Sequence, residues 1–458
     1  MRHKFWFLAS LAASCHSPAG THVTDAAVDV GVDSAFSGTP TVNVDLPRNG
    51  IAPNELGVIV DDNNPTSIAV AAHYQLVRPE VPAGNYIHIS IPQVGSAPPS
   101  TLTQVDFTPL KSAVDLQTAA IEAAATDGHH IQAYALTFIH PFSVDNMSIG
   151  SAFALGYLSI SITCNINYRS DYIDDDSTKP FDDFQIRPTM ILGGVDQAGG
   201  IALIDRGKMS DGTFPSGSAY FVQTADPVRS MPRDNSFKSL VASWDSATGI
   251  DTHFVDLSAM TPDDLTGKTN LLIYEIGRVN VPNLDTNSFV PGAIADHLTS
   301  FGGQLNGDVL DTGSGQMSEL LWIAGGATGS YGSAIEPCNW PDKFPNPTYF
   351  LPHYFRGESL IEAYWKSVSD MSEGNFVGDP LASPWGKNDV KIVGQGASTA
   401  ITIRTTWFRP GITYTVEAGD SESGPFDTVG SDVKLDKYEL TTIQIANANR
   451  AYYHLHGK

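Results

Sequence analysis

Three aspartates in one acidic stretch are the first residues whose types could do chemistry. Asp174 and Asp176 belong to the run Asp174-Asp175-Asp176, and Asp182 follows a few positions later. Calcium takes carboxylate oxygens as ligands, so this stretch predicts a calcium site. The spacing lacks the glycine of an EF-hand loop, and a solvated acidic loop is the alternative. No other cofactor is predicted.

The three cysteines divide between a targeting signal and a candidate cross-link. Residues 1–15 read MRHKFWFLASLAASC, with a basic start, an apolar region and small residues before Cys15. This is the pattern of an export signal, and its end resembles a bacterial lipobox, in which the cysteine thiol is lipidated. Ordinary cleavage just past Cys15 is the alternative. In an oxidising compartment Cys164 and Cys338 would form a disulfide, or else remain two separate buried thiols.

The charge of the chain excludes several classes of partner. Its 458 residues include 26 Lys+Arg and 50 Asp+Glu, for a net charge of −24. Nucleic acid and anionic membrane surfaces require clustered Lys and Arg, so neither is a predicted partner. Membrane contact is expected only through a lipid on Cys15, which leaves a surface protein or a glycan as partner classes. We expect an exported protein, either a lipoprotein of the outer membrane or cell surface, or a periplasmic or extracellular protein.

Alternating strand and helix patterns predict an α/β fold with a parallel sheet. Apolar runs at Glu55–Val60, Ile131–Ile139 and Leu271–Ile276 are typical of strands buried on both faces. Ser67–Leu76 is predicted to be a helix whose apolar side is formed by Ile68, Ala71, Ala72 and Leu76.

Composition divides the chain into four segments. The export signal covers 1–15, and 16–45 is poor in large apolar residues and reads as a flexible tether. The α/β region is predicted over 46–386. Short alternating strands separated by Gly and Pro turns predict a small β-sandwich over 387–458.

Several segments resemble an uncharacterised family of secreted bacterial proteins. They lie between residues 54 and 385 and include ELGVIVDDNNPTSIAVAAHY, PGAIADHLTSFGGQL, GATGSYGSAIEPCNWPDKFP, LIEAYWKSV and GDPLASPW. The second half of that region is similar to the caspase-like domain of gingipain-type cysteine peptidases, in which a small β-module also follows the catalytic domain. The resemblance therefore implies a caspase-like parallel-sheet core and, in an active member, a Cys/His pair after two neighbouring strands.

The residues of this pair are absent from the matching positions. Glu275-Ile276-Gly277 stands where a His-Gly pair is expected, and Thr299-Ser300-Phe301 stands where the cysteine is expected. Cys338 comes too late in the sequence. Ser300 is the substitute nucleophile, but a hydroxyl needs an adjacent base. His297 shares a face with Ser300 only if the segment is a helical turn rather than a strand; His140, after the strand at Ile131–Ile139, is the other candidate base.

Two functions follow from this pattern. The first is an exported, lipid-anchored protein whose caspase-like core has lost its catalytic pair and acts in binding or structure. The alternative is an exported, peptidase-like hydrolase that uses Ser300. Because the expected Cys and His are missing, we favour the protein that is not an enzyme.

Overall fold

The computed structural model describes residues 42–161, 163–306, 315–394 and 398–457. All of them belong to one compact unit, Thr41–Lys458. The predicted export signal, Cys15 and most of the predicted tether lie outside the described residues. No helix in the described part of the chain is both long and apolar enough to span a membrane.

Strands are numbered in chain order. Those of the first half are β1 (Asn43–Asp45), β2 (Leu56–Asp61), β3 (Tyr86–Ile89), β4 (Thr101–Leu102), β5 (Ala133–Leu136), β6 (Ser143–Val144), β7 (Met147–Ser148), β8 (Thr189–Ile191), β9 (Gly217–Gln223) and β10 (Ile250–Asp256). The later ones are β11 (Leu271–Gly277), β12 (Phe289–Leu298), β13 (Gly329–Ser333), β14 (Gly374–Gly378), β15 (Asp389–Val393), β16 (Ala400–Thr405), β17 (Thr413–Gly419), β18 (Phe426–Thr428), β19 (Val433–Lys434), β20 (Thr441–Ile445) and β21 (Tyr452–Gly457).

The helices are numbered in the same way. They are α1 (Pro65–Val77), α2 (Gln104–Ala124), α3 (Ile149–Leu155), α4 (Pro180–Phe184), α5 (Gln197–Ser210), α6 (Pro227–Ser230), α7 (Asp234–Ser243), α8 (Leu320–Ala324), α9 (Pro347–Phe355) and α10 (Leu360–Trp365).

Ten of the described strands form one mixed sheet, which confirms the α/β class. Its order is β10-β9-β11-β12-β13-β14-β8-β5-β2-β3. Neighbours are parallel except β13 and β14, which are antiparallel. The sheet therefore consists of two five-stranded parallel halves, each with its strands in the order 2-1-3-4-5 along the chain. Because the halves run in opposite directions, their carboxyl ends lie at opposite edges of the sheet.

Helices cover both faces of this sheet. Apolar side chains of α1, α7, α9 and α10 join one buried cluster with β2, β11 and β12. Side chains of α2, α3 and α8 join a second cluster with β5 on the other face. The buried side of α1 is formed by Val70, Ala71 and Tyr74, whereas Ile68 and Leu76 are 46% and 75% exposed. The predicted apolar side of this helix was therefore wrong in part.

The C-terminal strands form two small sheets around a core of their own. One sheet is β15-β16-β20, and the other contains β1, β21, β17, β18 and β19. Ile401 and Ile403 of the first sheet pack with Val416 and Tyr453 of the second. Strand β1 lies within the predicted tether. It is ordered because Val42, Val44 and Leu46 pack against this core, while its backbone pairs in parallel with β21.

Candidate functional site

Ser300 lies just beyond the carboxyl end of β12, at the position where the resemblance to gingipain-type peptidases implies a nucleophile. The segment from Phe289 to Leu298 is a strand, so Ser300 is in the bend that follows it. Both Thr299 Oγ1 and the Phe301 amide donate to Gln316 Oε1, at 2.5 and 3.0 Å, which holds the bend. Within the described residues, the Ser300 hydroxyl has no hydrogen-bond partner, so neither His297 nor His140 is hydrogen-bonded to it.

Both ring nitrogens of His297 are occupied, and its ring lies beside Gly302 of this bend. Nε2 donates to the Met317 carbonyl at 3.0 Å, and Nδ1 accepts a hydrogen bond from the Trp322 indole at 2.9 Å. A carbonyl only accepts and an indole N–H only donates, so these partners fix the neutral Nε2–H tautomer. The ring is 1% exposed, and burial lowers the pKa of His297 to about 4. This histidine has no free lone pair with which to take a proton from Ser300.

His140 belongs to the other half of the sheet. It follows β5, whose carboxyl end lies at the edge opposite to that of β12. Its side chain lines a cavity of about 270 Å³ together with Ile139 and Gly193. Burial lowers the pKa of His140. Hydrogen bonds with the Asn306 side chain and the Leu305 backbone raise this pKa, but by less than burial lowers it. Within the described residues, no hydrogen bond joins the three predicted catalytic residues Ser300, His297 and His140 to one another.

A buried charge cluster that the sequence did not reveal lies beneath the same strand ends. Arg233 Nη1 is 2.6 Å from Asp296 Oδ1 and 3.2 Å from Glu275 Oε2. Its Nη2 donates to the Ile276 carbonyl at 3.0 Å. Burial raises the pKa of Glu275 and of Asp296.

Glu319 adds a third carboxyl group to this cluster. Neither of its oxygens has a hydrogen-bond partner within the described residues. Burial, and then the charge of Asp296, raise the pKa of Glu319 well above its usual value. All of these side chains are at most 2% exposed. The three carboxyl groups are therefore shielded from solvent.

The predicted calcium ligands are divided between two places. Asp174 and Asp176 lie near His353, whereas Asp182 pairs with His130 at 2.6 Å. Asp176, His353 and Glu358 each offer a ligand atom within 4.8 Å of the others, so these three could hold a metal ion.

Cations of the chain already surround this group. Arg356 and Arg409 contact Asp176 at 2.6 and 3.0 Å, and Lys366 contacts Glu358 at 2.6 Å. Burial alone would raise the pKa of Asp176, but the two arginines lower it to about 2. The arrangement is that of an ion-pair network that links the α/β region to the C-terminal strands.

Cys164 and Cys338 are joined by a disulfide bond, with their Cα atoms 5.2 Å apart. The bond connects the segment before β8 to the loop after β13. The third cysteine, Cys15, lies outside the described residues.

Comparisons of this chain with protein-family models, with curated proteins and with solved structures find no match. The resemblance carried by the sequence segments therefore remains an expectation, and function must be argued from the residues themselves.

Proposed function

We propose that this chain is an exported, lipid-anchored bacterial protein that binds other surface components through a caspase-like core without peptidase activity. The observation that carries the proposal is the state of His297. A serine nucleophile needs an unoccupied base within about 3 Å. His297, on the strand β12 that directly precedes Ser300, is neutral, and its two ring nitrogens are held by Met317 and Trp322.

The strand order supports the caspase-like part of the proposal. The half-sheet from β9 to β13 has the order 2-1-3-4-5, and its third and fourth strands are β11 and β12. In α/β sheets of this kind, sites form outside the carboxyl ends of the strands. Those ends carry Gly277 and Ser300, not the His and Cys that the resemblance requires. The two small sheets around one core likewise support a C-terminal β-sandwich.

One observation favours the alternative, a hydrolase that uses Ser300. Within the described residues, the Ser300 hydroxyl has no hydrogen-bond partner, and the residue is half-buried beside the end of β12. The test is covalent labelling with a serine-reactive fluorophosphonate. We expect no labelling of the native protein, because no described group near Ser300 can remove its proton.

Ser300→Ala is the test variant. Ser239→Ala, which removes an exposed serine of α7, is its matched control. We expect no labelling of either variant. Labelling of the native protein and of Ser239→Ala, but not of Ser300→Ala, would establish Ser300 as a nucleophile and overturn the non-catalytic proposal.

The lipid anchor has its own test. The basic and apolar residues before Cys15 support export and lipidation of its thiol. In a bacterial host with a lipoprotein pathway, the protein should fractionate with membranes, whereas Cys15→Ala should be released into the soluble fraction. Ser17→Ala is the control and should stay with the membranes. If Cys15→Ala stays there too, the anchor is not a lipid on this cysteine.

A further inference from the structure

Two adjoining cavities form a groove between α7 and α9. The first has a volume of about 500 Å³ and the second about 380 Å³. Tyr349 of α9 lines both cavities, so the two adjoin at this residue. The first cavity includes Arg233, which contacts the carboxyl end of β11. The second reaches Arg409 and Tyr438, in loops between the C-terminal strands. These volumes are in the range of ligand sites.

The walls of the groove carry balanced charge, although the chain as a whole is strongly acidic. Arg233 turns its guanidinium towards Glu275 and Asp296, away from the opening. Six of the remaining charged wall residues are combined in ion pairs, namely Arg169–Asp342 at 3.6 Å, Arg409–Asp174 at 3.8 Å and Lys437–Asp245 at 2.8 Å. A ligand that filled the groove would meet few free charges, and this favours an uncharged ligand.

Hydroxyl and amide groups supply the remaining polar surface. The wall groups Asn235, Ser239, Tyr349, Ser369 and Tyr438 make no side-chain hydrogen bond within the described residues. Asn235 and Ser239 are one helical turn apart on α7, so they face the groove together. Hydroxyl groups both donate and accept, and an amide offers both kinds of group. Such groups match the hydroxyls of a sugar.

Flat apolar surfaces lie beside these polar groups. Tyr438 stacks on Trp244 with ring centres 5.3 Å apart and planes inclined by 22°. Tyr349 is half-buried between the two cavities. Aromatic rings of this kind present an apolar face and a polar tip, and they would pack against the C–H face of a pyranose ring.

We propose that the groove between α7 and α9 binds a neutral oligosaccharide. This inference rests on the proposed binding function and names its ligand class. An extended peptide fits less well, because the cavities are lined by helix and loop residues, and none of these lies in a strand that could offer an open edge for main-chain pairing. An anionic ligand fits less well, because the arginine and lysine groups of the walls are already paired.

The test is calorimetric titration of the full-length protein with cellohexaose, maltohexaose and chitohexaose. We expect saturable binding of at least one of the three. The affinity should change less than twofold between 50 mM and 500 mM salt, because no charged contact is involved. A heparin hexasaccharide and a proline-rich peptide serve as charged and peptide contrasts and should not bind.

The matched variants are Ser239→Trp and Ser112→Trp, both at exposed helix serines. Ser239→Trp places an indole in the groove and should weaken binding at least tenfold, whereas Ser112→Trp on α2 should bind like the native protein. Absence of binding by all three sugars, unchanged binding by Ser239→Trp, or binding of only heparin or the peptide would overturn the proposal. The serine labelling test above is independent of this result, so failure of the sugar site and failure of the non-catalytic function can be told apart.

Discussion

Replacement of Arg233 by methionine should lower the free energy of unfolding by about 3–5 kcal/mol at pH 7. The reason is the burial of the two carboxylates that Arg233 neutralises. Glu275 and Asp296 are fully buried and face each other on neighbouring strands, in register in the β11–β12 ladder. Without the guanidinium, each would have to be protonated or remain a buried charge without a partner, and both cost free energy. Urea unfolding followed by tryptophan fluorescence measures the loss.

The difference in the free energy of unfolding between the native protein and the Arg233→Met variant should become smaller as the pH falls. In the folded variant the carboxyl groups must be protonated, so their folded-state pKa lies above the unfolded value near 4. A raised carboxyl pKa means that the folded state binds more protons. Stability is then lost as the pH rises from the unfolded pKa through the folded one. The stability of the variant should therefore approach that of the native protein as the pH falls below 7.

Two controls isolate the charge effect from lost packing. The triple variant Arg233→Met, Glu275→Gln, Asp296→Asn should regain most of the lost stability, because no buried charge is left unpaired. Arg169→Met removes an arginine that is 68% exposed and should cost less than about 1 kcal/mol. A loss below 1 kcal/mol for Arg233→Met at pH 7 would contradict the buried-pair argument.

Long apolar runs were the part of the fold that the sequence could predict. Leu271–Ile276 and Glu55–Val60 were predicted as buried strands and correspond to β11 and β2. Strand β12 was harder to predict from the sequence, because Gly292, Asp296 and His297 interrupt its apolar pattern. Asp296 is accommodated there only because Arg233, from a distant part of the chain, contacts it. Local pattern contains no information about such a partner.

The predicted apolar side of α1 was wrong in part for a related reason. Small residues make several faces of α1 equally apolar, and the buried face is decided by Tyr74, whose hydroxyl donates to Asp379. Helix α8 begins only at Leu320, four residues after Gln316. Gln316 is held instead by its hydrogen bonds with Thr299 and Phe301 across the bend after β12.

The candidate site shows the same limit. The sequence could place Ser300 after a strand and could show that the expected cysteine and histidine were missing. It could not show that the Trp322 indole occupies Nδ1 of His297, since this contact depends on the packing of α8 against β12. The groove between α7 and α9 was also not predictable, because its walls come from separate helices and from loops far apart in the sequence.

Replacement of Cys338 by serine should lower the free energy of unfolding by about 2–5 kcal/mol. The disulfide to Cys164 spans 174 residues of sequence, and a cross-link that closes a long loop removes much of the entropy of the unfolded chain. Urea unfolding of the oxidised native protein and of Cys338→Ser measures the difference. Reduction of the native protein with dithiothreitol should produce a similar loss.

The bond also supports a buried ion pair close to it. Lys343 Nζ is 2.7 Å from Glu373 Oε2 and also donates to the carbonyl of Thr163, the residue before Cys164. Release of Cys164 would loosen this carbonyl and weaken the hold on a lysine that is 1% exposed. We therefore expect Cys338→Ser and the double variant Cys164→Ser, Cys338→Ser to lose the same stability within about 0.5 kcal/mol, since both remove one interaction.

Thiol counting provides the control for this prediction. Cys15→Ser lacks the one cysteine outside the pair and should unfold at the same urea concentration as the native protein. In that variant, alkylation under denaturing conditions without reductant should modify no thiol, and reduction should expose two. Two alkylatable thiols before reduction would mean that Cys164 and Cys338 do not pair. The stability difference between native protein and Cys338→Ser would then have to come from packing in the loop after β13 alone.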